Sequence, residues 1–226
     1  MTDKTKILNC YAGLGGNRKL WGDDHEVTAV ELDPGVADIY RRYFPNDNII
    51  IGDAHQYLID HYHEFDIIWG SPPCPTHSRL NSFKNANVYQ DIEYPDMRLY
   101  QEIIFLQKFF YGKYIIENVI PYYKPLIPAQ QIGRHLFWAN FTIGKCTVND
   151  YGDLKNLNVT QLSKLHEFDV SNYQGYKRKR QILRNCVDAG VGKHIMDKAL
   201  KELGKSVKRE ANEREAEQQE LFREIN

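Results

Sequence analysis

The apolar positions of this chain fall into short runs separated by stretches of helical period. Lys6–Tyr11 (KILNCY), Val27–Leu32 (VTAVEL), Asn48–Ile51 (NIII), Phe65–Trp69 (FDIIW) and Tyr114–Glu117 (YIIE) each predict a strand. Between them, Arg18–Trp21, Pro34–Tyr43 and Met97–Tyr111 carry helical patterning. Strands alternating with helices imply an α/β architecture, a mostly parallel sheet covered on both faces. Such sheets bind ligands at the carboxyl ends of their strands. The unusual residues of this chain cluster just after the strand runs.

The pattern changes beyond Ala139. Ala139–Tyr176 scatters Asn, Thr and Asp without a long periodic stretch, which predicts an irregular insertion or small lobe. Glu202–Asn226 is dense in Glu, Lys, Arg and Gln and reads as a solvated helix or a frayed end. No internal repeat is present.

Composition narrows the picture only a little. The 226 residues suit one domain, or one domain with a small appendage, and 42% hydrophobic with 26% charged residues is ordinary for a globular chain. The net charge of -1 and pI near 6.7 give no global support for nucleic-acid binding. Contact with a polyanion would need a local cluster. Lys177, Arg178, Lys179 and Arg180 form the densest one, and such a run is either a solvated face or a phosphate clamp. The four cysteines have no CxxC pair and no zinc spacing, so reduced thiols and no metal are expected. No apolar run reaches membrane-spanning length and Met1–Lys6 is polar, which predicts a cytoplasmic protein without a membrane partner.

The first strand runs into Tyr11-Ala12-Gly13-Leu14-Gly15-Gly16-Asn17. Three glycines in four positions let backbone approach a ligand and open a helix. A dinucleotide fingerprint would need glycine at position 18, which is Arg18. A GxGG turn suits a nucleoside without a pyrophosphate, or simply a tight strand-to-helix connection. Two acids bear on that choice. Glu31 ends the second strand, where a carboxylate accepts from a ribose diol. Asp53 follows the third strand, placed to accept from an adenine amino group, or to cap a helix.

The fourth strand leads into Gly70-Ser71-Pro72-Pro73-Cys74-Pro75. Three prolines make a stiff, extended loop, which aims a sulfur at one atom. Structural cysteines usually lie within apolar runs, as Cys10 and Cys186 do; Cys74 does not. The fifth strand leads into Glu117-Asn118-Val119, a carboxyl group at the edge of a buried sheet. That carboxyl is either a cap or ion-pair partner, or an acid that binds and protonates a heterocycle.

In this order and context, Tyr11-Ala12-Gly13-Leu14-Gly15-Gly16, Glu31, Asp53, Pro73-Cys74 and Glu117-Asn118-Val119 resemble the DNA cytosine-5 methyltransferases. Asp96-Met97-Arg98-Leu99, Arg184-Asn185-Cys186-Val187 and Val191-Gly192-Lys193 are similar to later family segments. The match covers roughly residues 6–138 and 180–200. There are departures. Pro75 stands where the family has Gln, and Arg184 where it has Gly before the late Asn. The family's Gln-x-Arg-x-Arg segment is not intact, and its nearest counterpart is Gln131-Ile132-Gly133-Arg134-His135.

The resemblance implies a Rossmann-like S-adenosylmethionine-dependent methyltransferase fold with a small irregular target-recognition lobe. It implies methyl transfer from S-adenosyl-L-methionine to carbon 5 of a flipped cytosine in double-stranded DNA, through a covalent Cys74 adduct, leaving S-adenosyl-L-homocysteine. Cys74, Glu117 and Arg134 would be catalytic. Tyr11, Ala12, Gly13, Leu14, Gly15, Gly16, Glu31, Leu32, Asp53, Ala54, Pro73, Leu99, Asn185 and Val187 would hold the cofactor. Ser78, Arg79, Lys177, Arg178, Lys179 and Arg180 would meet DNA. Residues 1–138 would form the catalytic and cofactor-binding core, 139–179 a short target-recognition region, 180–203 a segment returning to the core and 204–226 a charged tail. A bacterial or phage setting and a cognate restriction endonuclease would fit the compact length. Three other readings stay open: an RNA cytosine-5 methyltransferase, a non-enzymatic DNA-binding module with a vestigial site, and a thymidylate-synthase-like enzyme. The last has no need of the GxGG loop.

Overall fold

Each predicted strand forms, and five of them build the left and centre of one sheet. The computed structural model describes residues 4–78, 94–147, 154 and 156–204. The sheet has seven strands: β1 (Lys6–Cys10), β2 (Glu26–Glu31), β3 (Asn48–Ile51), β4 (Ile67–Gly70), β5 (Lys113–Val119), β6 (Gln130–Ile132) and β7 (His135–Ala139). Their order is β3-β2-β1-β4-β5-β7-β6. The pairs among β1 to β5 are parallel, and β7 runs antiparallel to both of its neighbours.

β1, β2, β4 and β5 are buried on both faces, which is why they read as continuous apolar runs. Consecutive residues point to opposite sides. Ile7, Ile67, Ile115 and Phe137 lie in one apolar cluster; Leu8, Ile68, Ile116 and Trp138 lie in another. Burying side chains of this size contributes about 1.5–3 kcal/mol each.

Helices complete both clusters. On one face α3 (Arg98–Phe109) packs Leu99, Ile103 and Leu106, and α2 (Ala54–His61) packs Ala54 and Leu58. On the other, α6 (residues 189–204) packs Val191, Ile195, Met196 and Ala199. That spacing is one face of a helix. A third cluster joins α1 (Pro34–Tyr43) to α4 (Val159–His166) and α5 (Tyr176–Arg184). Helix α1 begins where the pattern predicts: Pro34 takes the first helical position and the Asp33 side chain accepts from the Gly35 and Val36 amides.

Helix α4 lies within the stretch expected to be irregular. Its start carries a capping box: the Asn158 side chain accepts from the Gln161 amide while the Gln161 side chain accepts from the Asn158 amide. Leu162 is the helix's fully buried apolar residue, so eight residues carry too little periodicity to stand out. The predicted helix at Arg18–Trp21 is a single 3-10 turn over Arg18–Leu20. No helix among the described residues is long and apolar enough to cross a membrane.

Candidate active site

The strand order reverses between β1 and β4, and that is where a crevice opens at the carboxyl ends. The glycine turn leaves β1 on one side of the reversal; the proline-cysteine loop leaves β4 on the other. A cleft of about 1180 Å³ runs along this edge. All three residues expected to be catalytic line it, and so does every residue expected at the cofactor except Gly15.

Glu31 organises the glycine turn. Its carboxylate accepts from the Gly13 amide through Oε2 and from the Asp33 amide through Oε1, both at 2.9 Å. Glu31 therefore ties the end of β2 to the turn after β1. Tyr11, Gly13 and Gly15 all take positive φ (57°, 56° and 82°). The glycines do different jobs. A side chain at Gly13 would meet nothing within 4 Å, so its missing Cβ leaves open space. Gly15 faces the core: a Cβ there would lie 2.3 Å from the Phe44 ring and 2.8 Å from the Tyr40 ring. Gly16 abuts the late segment, with a Cβ falling 2.6 Å from the Val187 carbonyl oxygen. Close packing of the turn on α1 and on residues 186–187 is thus a second reason for glycine, beside any ligand.

Asp53 meets the expectation of a cap. Its Oδ1 accepts from the His55 amide at 2.9 Å and the Gln56 amide at 3.4 Å, which starts α2, and the residue also lines the cleft. Beneath this end of the cleft lies Glu102 of α3, 1% exposed. Its Oε1 accepts from the Tyr11 hydroxyl at 2.5 Å and meets His55 Nδ1 at 2.8 Å. Burial pushes the Glu102 carboxyl above the usual range, against the two hydrogen bonds that pull it down.

The cysteine loop is braced from three directions. Asn118 of β5 donates from Nδ2 to the Pro72 carbonyl oxygen at 3.0 Å. The Cys74 carbonyl oxygen accepts from the His77 and Ser78 amides. His77, 1% exposed, meets the Tyr123 hydroxyl through Nδ1 at 2.6 Å and the Asp96 carbonyl oxygen through Nε2 at 3.0 Å. Burial lowers the His77 pKa, so the ring is neutral and serves as a brace. Cys74 itself is half-buried beside the cleft. Burial pushes its thiol up, and the Glu117 charge adds to the effect. At neutral pH the sulfur holds its proton.

Glu117 and His135 face each other across β5 and β7. His135 Nε2 lies 3.5 Å from Glu117 Oε1, with both side chains largely buried. Burial holds the His135 imidazole below its ordinary pKa, against the pull of Glu117. Arg134 sits in the turn between β6 and β7, and its guanidinium donates to the Arg184 carbonyl oxygen at 2.9 Å.

The basic run divides. Arg178 donates to Asp33 Oδ2 at 3.0 Å and to the Tyr173 hydroxyl at 2.9 Å. Lys179 donates to the Ser171 carbonyl oxygen and Arg180 to that of Leu157. Lys177 is exposed. Ser78 lines the cleft, and Arg79 lies outside the described residues.

A family model for C-5 cytosine-specific DNA methylases matches residues 5–120. This chain belongs to that family. The match spans β1 to β5, and therefore the glycine turn, the cysteine loop and Glu117. Among solved structures, the Entamoeba histolytica methyltransferase EhMeth aligns with 89% of this chain and 99% of its own length, at 13% identity and a TM-score of 0.56. It shares the Rossmann-like fold. A mutant DNMT2 from Spodoptera frugiperda is 26% identical over 51% of this chain and 36% of its own, with a TM-score of 0.37. A putative DNA modification methyltransferase encoded within an Escherichia coli prophage is 20% identical over 54% and 34%, with a TM-score of 0.34. The chain spans about a third of the length of these two. No curated protein matches it.

For a C-5 cytosine methylase, three site residues went unread in the sequence. Asn118 belongs to the Glu117-Asn118-Val119 motif, but its bond to Pro72 exists only because β5 and the β4 loop are adjacent. His77 follows the cysteine by three residues, a spacing no motif marks. His135 begins a strand, and only the β5–β7 register (Val119 opposite His135, Glu117 opposite Phe137) puts it on the Glu117 face.

Proposed function

We propose that this methylase transfers a methyl group from S-adenosyl-L-methionine to carbon 5 of cytosine in double-stranded DNA, with Cys74 as the covalent nucleophile. One observation carries the reading: Cys74 and Glu117 share a single cleft with the Gly13–Gly16 turn and Glu31. The family match supplies the class of base, and the family's description as DNA methylases supports DNA as the polymer.

The cleft suits the cofactor. Open space over Gly13, the acids Glu31 and Asp53, and the apolar walls of Leu32, Leu99 and Val187 form a cradle for a nucleoside. S-adenosyl-L-methionine bound there supplies an electrophilic methyl group. Glu31 would keep its two backbone donors and offer its remaining lone pairs to a ribose diol.

Carbon 5 of cytosine is a poor nucleophile. Addition of sulfur at carbon 6 makes the ring an enamine whose carbon 5 is reactive. In this reading Cys74 forms that bond, and Glu117 holds ring N3 and the exocyclic amine. The braced loop fixes the direction of attack. The raised thiol pKa means that the proton must leave as sulfur attacks. Carbon 6 is inaccessible in a stacked duplex, so the base is extruded into the cleft. Residues 139–179 take the role of target recognition, and exposed Lys177 that of a phosphate contact. Arg134, anchored on Arg184, stands at the Glu117 side of the cleft and takes the cytosine O2 role.

Tritiated methyl transfer to matched duplex DNA and RNA, with base-resolution mapping of the product, tests substrate and atom together. Label at carbon 5 of DNA cytosine is expected. Cys74→Ala should abolish transfer and still bind the cofactor, and a duplex carrying 5-fluorocytosine should trap the wild type covalently. Full activity of the alanine variant would contradict the mechanism, and label in RNA alone would replace the polymer.

A further inference from the structure

Among the titratable groups of the cleft that the scheme above does not use, His135 is the one beside the proposed acid. It lines the cleft next to Glu117, on the same face of the sheet, because positions 117, 119, 135 and 137 pair across β5 and β7. Paired residues of an antiparallel ladder project to the same side. The Nε2 to Oε1 separation of 3.5 Å is a few tenths of an ångström beyond a hydrogen bond, a gap that a small side-chain adjustment closes. Both side chains are shielded, at 13% and 9% exposure.

Building on the proposed Cys74 mechanism, we propose that His135 is a positioning residue for Glu117: its Nε2–H holds Oε1 of the carboxylate, leaving Oε2 to carry the proton of the Cys74 thiol to the cytosine ring.

The protons balance without an outside base. The Cys74 S–H bond breaks and its proton passes to Glu117 Oε2. As it does so Sγ bonds carbon 6, the ring electrons move toward N3, and N3 takes the proton from Oε2. The thiol hydrogen ends on the ring and Glu117 returns to its starting charge.

A histidine suits this task better than a permanent cation. The groups facing Glu117 are His135 from β7, Arg134 from the β6–β7 turn and Cys74 from the β4 loop, and Arg184 of α5 lies behind Arg134. Arg134 spends a donor on the Arg184 carbonyl oxygen. Burial keeps His135 neutral at pH 7. A neutral donor orients a carboxylate without locking its charge in an ion pair, so the carboxylate can accept a proton and give it up.

The test uses the whole chain with His135→Leu, which removes the donor, His135→Asn, whose amide is too short to reach Oε1, and His135→Gln, whose amide reaches it. Methyl transfer to duplex DNA and trapping on 5-fluorocytosine DNA are both measured. Leu and Asn should each lower kcat about 100-fold, with KM for the cofactor changed less than about two-fold, and Gln should recover at least about ten-fold of the loss. Thermal melting identifies any variant that does not fold, and the remaining loss variant then carries the comparison with Gln. Equal losses in all folded variants, a change confined to KM, or no change would each overturn the assignment. A wild type that neither methylates nor traps would instead remove the Cys74 reading on which it rests.

Discussion

Asn118 Nδ2 donates to the Pro72 carbonyl oxygen at 3.0 Å, and this one bond joins the strand of Glu117 to the loop of Cys74. Asn118 is 2% exposed. Nucleophile and carboxyl group are therefore set relative to each other by a buried contact two residues from the sulfur and one from the acid.

Asn118→Ala should leave the Pro72 carbonyl oxygen without that donor. A lost buried partner costs about 1–3 kcal/mol. Urea unfolding should show a loss of this size. Methyl transfer should fall further than cofactor binding, because the glycine turn does not depend on Asn118. Equal losses of both would mean that Asn118 acts on the whole cleft.

Two glycines of the same turn should respond differently to alanine. At Gly15 the new methyl meets the Phe44 and Tyr40 rings and the φ of 82° is strained as well. Overpacking and a left-handed non-glycine residue together cost roughly 2–6 kcal/mol. At Gly13 only the φ of 56° is unfavourable, which costs roughly 1–3 kcal/mol. Gly13→Ala should therefore fold and lose cofactor affinity, as its methyl enters the open space, while Gly15→Ala should lose stability first. Denaturation curves read beside cofactor titrations separate the two.

The Cys74 thiol should resist alkylation at neutral pH. Burial, with the Glu117 charge in second place, holds its pKa above the ordinary cysteine value. Its rate of reaction with iodoacetamide should keep rising with pH beyond the range where a free cysteine has levelled off. Glu117→Gln removes the charge and should move the curve to lower pH. Mass spectrometry of the Cys74 peptide keeps Cys146 out of the measurement. An unchanged curve in Glu117→Gln would separate the two groups electrostatically.

His166 should make folding stability depend on acid. Burial lowers its pKa from 6.5 to about 4. Above pH 6.5 the ring is neutral in both folded and unfolded chains. Between 6.5 and about 4 the unfolded chain takes up the proton and the folded one does not, so stability falls as pH falls through that window. His166→Gln should flatten this part of the stability curve. A slope unchanged by the substitution would assign the acid sensitivity to other groups.

Much of the fold was legible because parallel strands buried on both faces leave continuous apolar runs. β3 and α1 have the bounds that the pattern predicts, β1 differs by one residue at one end, and β2, β4 and β5 differ by one or two residues at each end. β6 and β7 were not legible. Gln130–Ile132 is three residues long, and His135–Ala139 gains its burial from the β5 edge and from the helices on the two faces of the sheet. Helix α4 was not legible either, because its eight residues carry little periodicity and its start rests on a capping box.

The division at the site has the same physical root. The nucleophile loop, the glycine turn and the acids after successive strands could be read from the chain alone. Each is a local feature, made by neighbours in sequence and placed by the rule that parallel strands deliver their loops to one edge. The partners of those groups could not be read. Glu31 with Gly13, Asn118 with Pro72, and His135 with Glu117 are joined across strands, and only register decides which side chains share a face. A shift of one residue in the β5–β7 pairing would turn His135 to the opposite side of the sheet, with no change in the sequence.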